Sequence, residues 1–287
     1  MSDQKIILGT AQIMQGYGTT NSLTPSIQEI EKIFSYAYEN GIYQIDTAPE
    51  YGESEKIIGQ IRSEHLLTTK VPTFQHCSDT YSSWVEDSVE RSLQNTHKKH
   101  VTNLLFHNTQ DMISNFSTEL EVKLLELKSA GLVQNIGFSV YDRAELEDAM
   151  NLFSPDLIQF PLNPFDQRFL EDNLLKNLHD QGIDLFARSI FLQGILIANI
   201  VRNKEHFHRW SGELKSWKQF CKNNGYLPYE ACIKFIQGID FLTGYTFGVG
   251  SLNELKQVVR AVTLDGTIDC KHFSSSDLDL IDPRKWH

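Results

Sequence analysis

Short apolar runs recur along the chain, and each is followed by an amphipathic stretch. The runs are KIILGTA (5–11), IYQIDTA (42–48), LLTTKV (66–71), TNLLFH (102–107), QNIGFS (134–139), LIQF (157–160), IDLFAR (183–188) and YTFGVG (245–250). Runs of this length and content predict buried strands. Between them apolar residues return at intervals of three and four. Ile27, Ile30, Ile33, Phe34 and Ala37 form one such set, and Leu120, Leu124, Leu125 and Leu127 another. That spacing predicts helices with one buried face. The pairs Asn40-Gly41, Ala130-Gly131 and Gln181-Gly182 punctuate the segments as turns. Strands alternating with helices imply parallel pairing and right-handed crossovers.

Eight such units predict an α/β fold, a closed (β/α)₈ TIM barrel spanning residues 1–287 as one domain. An open doubly wound sheet is the alternative, but the G-x-G-x-x-G turn after its first strand is missing. Residues 196–227 read as an insertion between the seventh and eighth units, with Trp210 and Trp217 in a helix. Long excursions after barrel strands commonly serve function. The tail, residues 274–287, is expected to pack over the barrel as a loop.

Composition narrows the function. Lys and Arg number 26 against 37 Asp and Glu, a formal net charge of −11. Such acidity argues against a nucleic-acid or membrane-surface binder. No apolar run approaches a membrane span, and the start lacks the apolar region of a signal peptide. Cys77, Cys221, Cys232 and Cys270 are scattered without a C-x-x-C pair. They read as reduced thiols of a cytoplasmic protein, with no metal site expected.

The chemistry emerges at the strand ends. In a barrel, Asp46, Lys70 and His107 close the second, third and fourth strands, with Tyr51 on the loop behind Asp46. Taken singly, each has an ordinary explanation: a loop acid, a surface lysine, a buried histidine. Together at one mouth they make a device for donating a proton to a carbonyl. A free tyrosine, with a pKa of about 10, is a weak acid near neutrality. A neighbouring ammonium such as Lys70 is expected to lower that value. Asp46 would keep Lys70 charged, and His107 would orient the substrate oxygen.

These residues sit within longer motifs. Asp46-Thr47-Ala48-Pro49-Glu50-Tyr51-Gly52-Glu53-Ser54-Glu55, TKV around Lys70, LLFH ending at His107, LKSAGLVQNIGFS (127–139), LIQFPLN (157–163) and LQGIL (192–196) follow one another in order. In these the chain resembles the aldo-keto reductases, including bacterial members, over nearly its whole length. The resemblance implies a nicotinamide cofactor extended across the barrel mouth and a small-molecule carbonyl substrate. It also implies Asp46, Tyr51, Lys70 and His107 as the catalytic tetrad, with Tyr51 as general acid. Ser139 and Gln159 would hydrogen-bond the carboxamide, each closing its strand. Gly9, Thr10 and Ala11 would leave room beside Asp46. Ser189, Phe191, Leu192, Gln193, Gly194 and Leu196 would approach the nicotinamide and pyrophosphate. Gly250, Ser251, Asn253 and Lys256 would meet the adenosine end.

Some positions depart from the family pattern. Val140 replaces an asparagine that often contacts the carboxamide. Arg188 stands where an aromatic usually stacks on the nicotinamide ring. A guanidinium also stacks on rings. It would favour the neutral reduced cofactor, or else grip an anionic substrate. Gly248 and Glu254 fall near positions often basic in relatives that select NADPH. Family habit leans slightly to NADPH, with NADH as the alternative. Substrate contacts are expected from Met14, Tyr17, Asn21, Phe74, His76 and the 196–227 excursion. A sugar or another small hydroxylated carbonyl compound is the candidate substrate. Two rival readings are a catalytically weak, cofactor-binding regulatory protein and a Schiff-base enzyme using Lys70 as nucleophile.

Overall fold

The computed structural model of the protein describes residues 5–13, 24–75, 80–198 and 204–286. Among these, eight strands form one closed parallel barrel in chain order. They are β1 (Lys5–Gly9), β2 (Gln44–Asp46), β3 (Leu66–Val71), β4 (Val101–Phe106), β5 (Val133–Ser139), β6 (Leu157–Pro161), β7 (Asp184–Arg188) and β8 (Gly244–Gly248). The sheet closes where β8 returns to β1, with Lys5 opposite Gly244 and Gly9 opposite Gly248. Each predicted run contains or overlaps one of these strands.

Side chains alternate across a strand, so a closed sheet separates two apolar populations. Leu8, Ile45, Leu67, Leu104, Ile136, Ile158, Leu185 and Tyr245 belong to the large cluster that includes the helices' buried faces. Ile7, Leu105, Leu157 and Phe186 form a separate small cluster inside the barrel. Other inner positions carry a polar chain. Gln44 Nε2 and Asn103 Nδ2 both donate to Thr68 Oγ1 at 2.9 Å, and Asn135 Nδ2 donates to Asn103 Oδ1 at 2.9 Å. Gly137 follows Asn135 on this inner face, where a Cβ would stand 1.9 Å from the carbonyl oxygen of Leu157. Glycine is what lets β5 and β6 approach there.

Local signals set the helix boundaries. Helix Ile27–Glu39 opens at Ser26, whose hydroxyl accepts from the Glu29 backbone N–H at 3.2 Å. It stops at Asn40, and Gly41 then takes a left-handed φ of +80°, with Gly131 at +70° and Gly182 at +89° at the other two predicted turns. Leu125 departs from its expected place on a buried face. It is 59% exposed, while Leu120, Leu124 and Leu127 of helix Thr118–Ser129 turn inward. One residue past Leu124 is about 100° around the helix, enough to leave the apolar stripe.

The excursion after β7 holds helix Lys204–Phe207, a 3₁₀ turn His208–Trp210 and helix Ser211–Asn223. Trp217 is fully buried and donates to the Leu196 carbonyl at 2.9 Å; Trp210 donates to Asp277 Oδ2 at 3.0 Å. Both indoles are packing residues. The tail is more ordered than the expected loop: it includes helix Leu278–Ile281 and the turn Pro283–Lys285, anchored by buried Leu280 and Ile281. Among the described residues no helix is long and apolar enough to cross a membrane, and no group of three His, Cys, Asp or Glu is placed to hold a metal ion. Cys221, Cys232 and Cys270 are buried free thiols, and burial pushes Cys221 and Cys270 up to about 12. Cys77 lies outside the described residues.

Candidate active site

The alternation that sends apolar residues to both faces of the sheet also brings the polar strand ends inward. Asp46 is the last residue of β2, two positions after inward-facing Gln44. Lys70 is two positions after Thr68, and His107 two after Leu105. β3 runs one residue beyond Lys70, to Val71, and β4 stops one short of His107. The His107 backbone N–H still donates to the Val71 carbonyl at 3.1 Å, holding the histidine on the rim.

The four sequence-predicted residues come together. The Lys70 ammonium is hydrogen-bonded to Asp46 Oδ1 and donates to the Thr47 carbonyl at 2.9 Å. Its Nζ lies 5.0 Å from the Tyr51 ring centroid, and the Tyr51 and His107 rings meet edge-on at 5.8 Å. Lys70 is 1% exposed and Asp46 4%, so the pair is desolvated. The second Asp46 oxygen accepts from Gln159 Nε2 at 2.9 Å, and the Asp46 carbonyl accepts from the Thr10 hydroxyl at 3.1 Å.

The electrostatics differ from the sequence expectation in one respect. Burial pushes the Tyr51 phenol above its ordinary range, and the Asp46 carboxylate pushes it further; Arg188 is the cation that pulls it back. Lys70 is tied to Asp46, so its charge reaches the phenol largely cancelled. Tyr51 therefore holds its proton firmly until a stronger base appears. His107 is held below its usual range, foremost by burial, with Glu50 opposing and Lys70 reinforcing. Its Nδ1 lies 2.7 Å from Glu50 Oε2, a close ion-pair contact whose alignment falls short of a hydrogen bond. Glu50 is brought down to about 2 by that partner. It also accepts from the Thr73 backbone N–H at 2.9 Å.

A cleft of about 630 Å³ opens beside these groups, a size in the range of small-molecule and cofactor sites. Of the residues expected around a cofactor, Gly9, Thr10, Ala11, Asp46, Ser139, Arg188, Ser189, Phe191, Gln193, Gly194 and Gly250 line it. Gln159 does not. It lies inside β6 and is wholly buried, accepting from Ser139 Oγ at 3.1 Å while supporting Asp46. Leu192 and Leu196 are fully buried in the apolar cluster rather than in the wall. Ser251 spends its hydroxyl as the cap of helix Leu252–Val262, accepting from Glu254 N at 3.3 Å. Asn253 is exposed, and Lys256 lies over the Tyr36 ring, 5.5 Å from its centroid. None of these three lines the cleft.

Other wall residues had no assigned part. Gln12 Oε1 and Thr246 Oγ1 line the cleft, and both are buried without a hydrogen-bond partner. Thr246 was legible two positions before Gly248 on the inner face of β8. Glu50 lay within the motif quoted for Tyr51, as a carboxylate beside the candidate acid. Tyr141, Tyr229 and Pro283 also line the cleft, and no local pattern marks them. Ile197 contributes from the start of the excursion. Phe74 packs on Tyr81 and Trp84 instead, at centroid separations of 5.1 and 6.0 Å. Met14, Tyr17, Asn21 and His76 lie outside the described residues.

Comparison with known proteins agrees with the barrel. D-arabinose 1-dehydrogenase of Saccharomyces cerevisiae is 30% identical over 146 residues, which is 47% of this chain and 42% of the yeast protein. The match thus spans less than half of that relative's length. Among solved structures, the aldo-keto reductase AKR11C1 from Bacillus halodurans in its holo form superposes with a TM-score of 0.74 at 19% identity, covering 93% of this chain and 89% of that one. The glycerol dehydrogenase AKR11B4 from Gluconobacter oxydans gives 0.69 at 18%, covering 93% and 88%. At such identities these structures speak to the fold. The model of the aldo/keto reductase family matches residues 5–274. The chain belongs to the aldo/keto reductase family.

Proposed function

We infer that the protein is an NAD(P)H-dependent oxidoreductase that reduces an aldehyde or ketone to the alcohol. The observation that carries this reading is the meeting of Tyr51, His107 and Asp46 at the wall of one cleft, with Lys70 buried behind them and paired with Asp46. Bound nicotinamide would supply the hydride. The cleft suits such a group, because Gln12 Oε1 and Thr246 Oγ1 at its wall await polar partners. Tyr51 would protonate the oxygen that gains charge as the carbonyl is reduced. An alkoxide is far more basic than a phenolate, so even a firmly held phenolic proton passes downhill. With Nδ1 turned to Glu50, His107 has Nε2 left to meet the substrate oxygen. Lys70 is buried, doubly bonded and absent from the wall. Those features disfavour Lys70 as a Schiff-base nucleophile. The yeast relative's name is that of a sugar dehydrogenase, which agrees with a small hydroxylated carbonyl substrate.

The far end of the cleft favours NADH, against the family's lean to NADPH. Glu254 lines it, and its Oε2 accepts from the Gly250 backbone N–H at 2.7 Å. Lys256 is turned to Tyr36. A 2′-phosphate would meet a carboxylate there, and among the described residues that line this end of the cleft none is a lysine or arginine. Turnover of a carbonyl panel, sugars and simple aldehydes alike, is expected with NADH. Cofactor binding without turnover of any carbonyl would favour the regulatory reading instead. In titrations followed by protein fluorescence, NADH is expected to bind on the order of tenfold more tightly than NADPH, about what one like-charge contact near a surface supplies. Glu254→Gln should narrow that gap. Equal or tighter binding of NADPH by the unaltered protein would refute the preference.

A further inference from the structure

Among the described residues, Arg188 has no carboxylate in ion-pair contact. It ends β7, lines the cleft with Tyr51 and His107, and is half-buried. Its guanidinium carbon lies 4.1 Å from the Tyr141 ring centroid. One terminal nitrogen donates to the Val140 carbonyl at 3.0 Å, and the other only weakly to Ser189 Oγ at 3.4 Å. No carboxylate lies within ion-pair distance of it among the described residues, whereas its arginine neighbours are paired. Arg284 sits over the same Tyr141 ring, also at 4.1 Å, but its charge is met by Asp282 through a fork of contacts at 2.6 to 3.1 Å. Arg168 is met likewise by Asp166 at 2.8 and 2.9 Å. The acids near Arg188 are engaged elsewhere: Asp46 with Lys70, Glu50 with His107, and Glu145 with the Tyr141 backbone N–H at 2.7 Å.

A guanidinium presents five N–H donors in a planar fork, and at least two remain here after these bonds. At the wall of the cleft those donors are available to a ligand, since the cation–π contact with Tyr141 does not use them. The planar fork matches a carboxylate edge to edge. We propose that Arg188 selects the substrate: the carbonyl compound reduced at Tyr51 carries a carboxylate, and Arg188 binds it. The inference rests on the reductase reading of the same cleft and adds the chemical class of its substrate. It also accounts for the position at which this chain departs from its family: an aromatic there would stack, whereas an arginine adds charge recognition.

The test uses the full chain loaded with NADH. Straight-chain ω-oxoalkanoates of increasing length are compared with their methyl esters, which keep the carbonyl and remove the charge. For at least one length the acid is expected to exceed its ester at least tenfold in kcat/KM. In Arg188→Gln that ratio should fall close to one, and Arg188→Lys should retain part of it, as a point charge without the fork. No preference at any length, or a preference that survives Arg188→Gln, overturns the proposal. A second readout separates it from the reductase reading. Butanoate, which cannot be reduced there, is titrated calorimetrically into the NADH-loaded protein. Binding lost in Arg188→Gln would uphold carboxylate recognition even if no carbonyl were turned over, in which case the reductase reading alone would fall. Butanoate binding equal in both proteins would overturn the recognition alone.

Discussion

Replacing Tyr51 with phenylalanine is expected to lower kcat for carbonyl reduction by about 10²- to 10⁴-fold, the usual worth of a positioned general acid. Cofactor affinity should change less than about twofold, because the hydroxyl acts on charge that develops only in the transition state. Its position supports both halves of that expectation. The ring stands edge-on to His107 and beneath the Lys70 ammonium, packing that phenylalanine preserves. Burial and Asp46 keep the phenol protonated, so the wild type carries its proton at any ordinary working pH. The variant loses only the donor. A Tyr51→Phe protein that kept more than a tenth of wild-type turnover would show that another group, or water, delivers the proton.

The second large effect belongs to Lys70. Lys70→Met should destabilise the fold by about 3–5 kcal/mol, the cost of leaving a buried carboxylate without its counter-ion. Among the described residues Asp46 would keep only Gln159 Nε2 as a side-chain donor, in a site 4% exposed. Turnover should fall as well, since Asp46 would then press its uncompensated charge on the phenol. The double variant Asp46→Asn/Lys70→Met tells these roles apart. Removing both charges should recover a large part of the lost stability, as buried pairs replaced together are often close to neutral. Turnover should recover in part as well, because no uncompensated carboxylate then presses on the phenol. Urea titrations and steady-state rates on the four proteins complete the cycle. A Lys70→Met protein as stable as wild type would mean that the pair is not the desolvated unit its burial indicates.

Much of this site was legible in the chain. Strand alternation, read from Ile7, Leu105 and their neighbours, already separates inward from outward positions. Asp46, Lys70, His107, Ser139 and Arg188 then fall on the inner side near strand ends. Errors of one or two residues at the ends of β3, β4 and β6 did not disturb that, because the two-residue period sets the face and the end only sets the height. The sequence was a poorer guide to charge. Lys70 stood out as the cation nearest the acid by chain logic, yet Asp46 neutralises it, and Arg188 is the cation that draws the phenol down. Likewise the 196–227 excursion, expected to contact substrate, spends Trp210 and Trp217 on packing: both are buried.

By itself the sequence determined the barrel, the order of its units and the residues that crown the strands, because periodicity and turn chemistry act over a few neighbouring residues. Only the tertiary structure decided which charges remain unmatched. Arg188 and Arg284 share one tyrosine although 96 positions separate them, and the tail brings Pro283 into a cleft that begins at Gly9. Charge pairing depends on distances of a few ångströms between chain-distant groups. Those distances exist only once the sheet has closed.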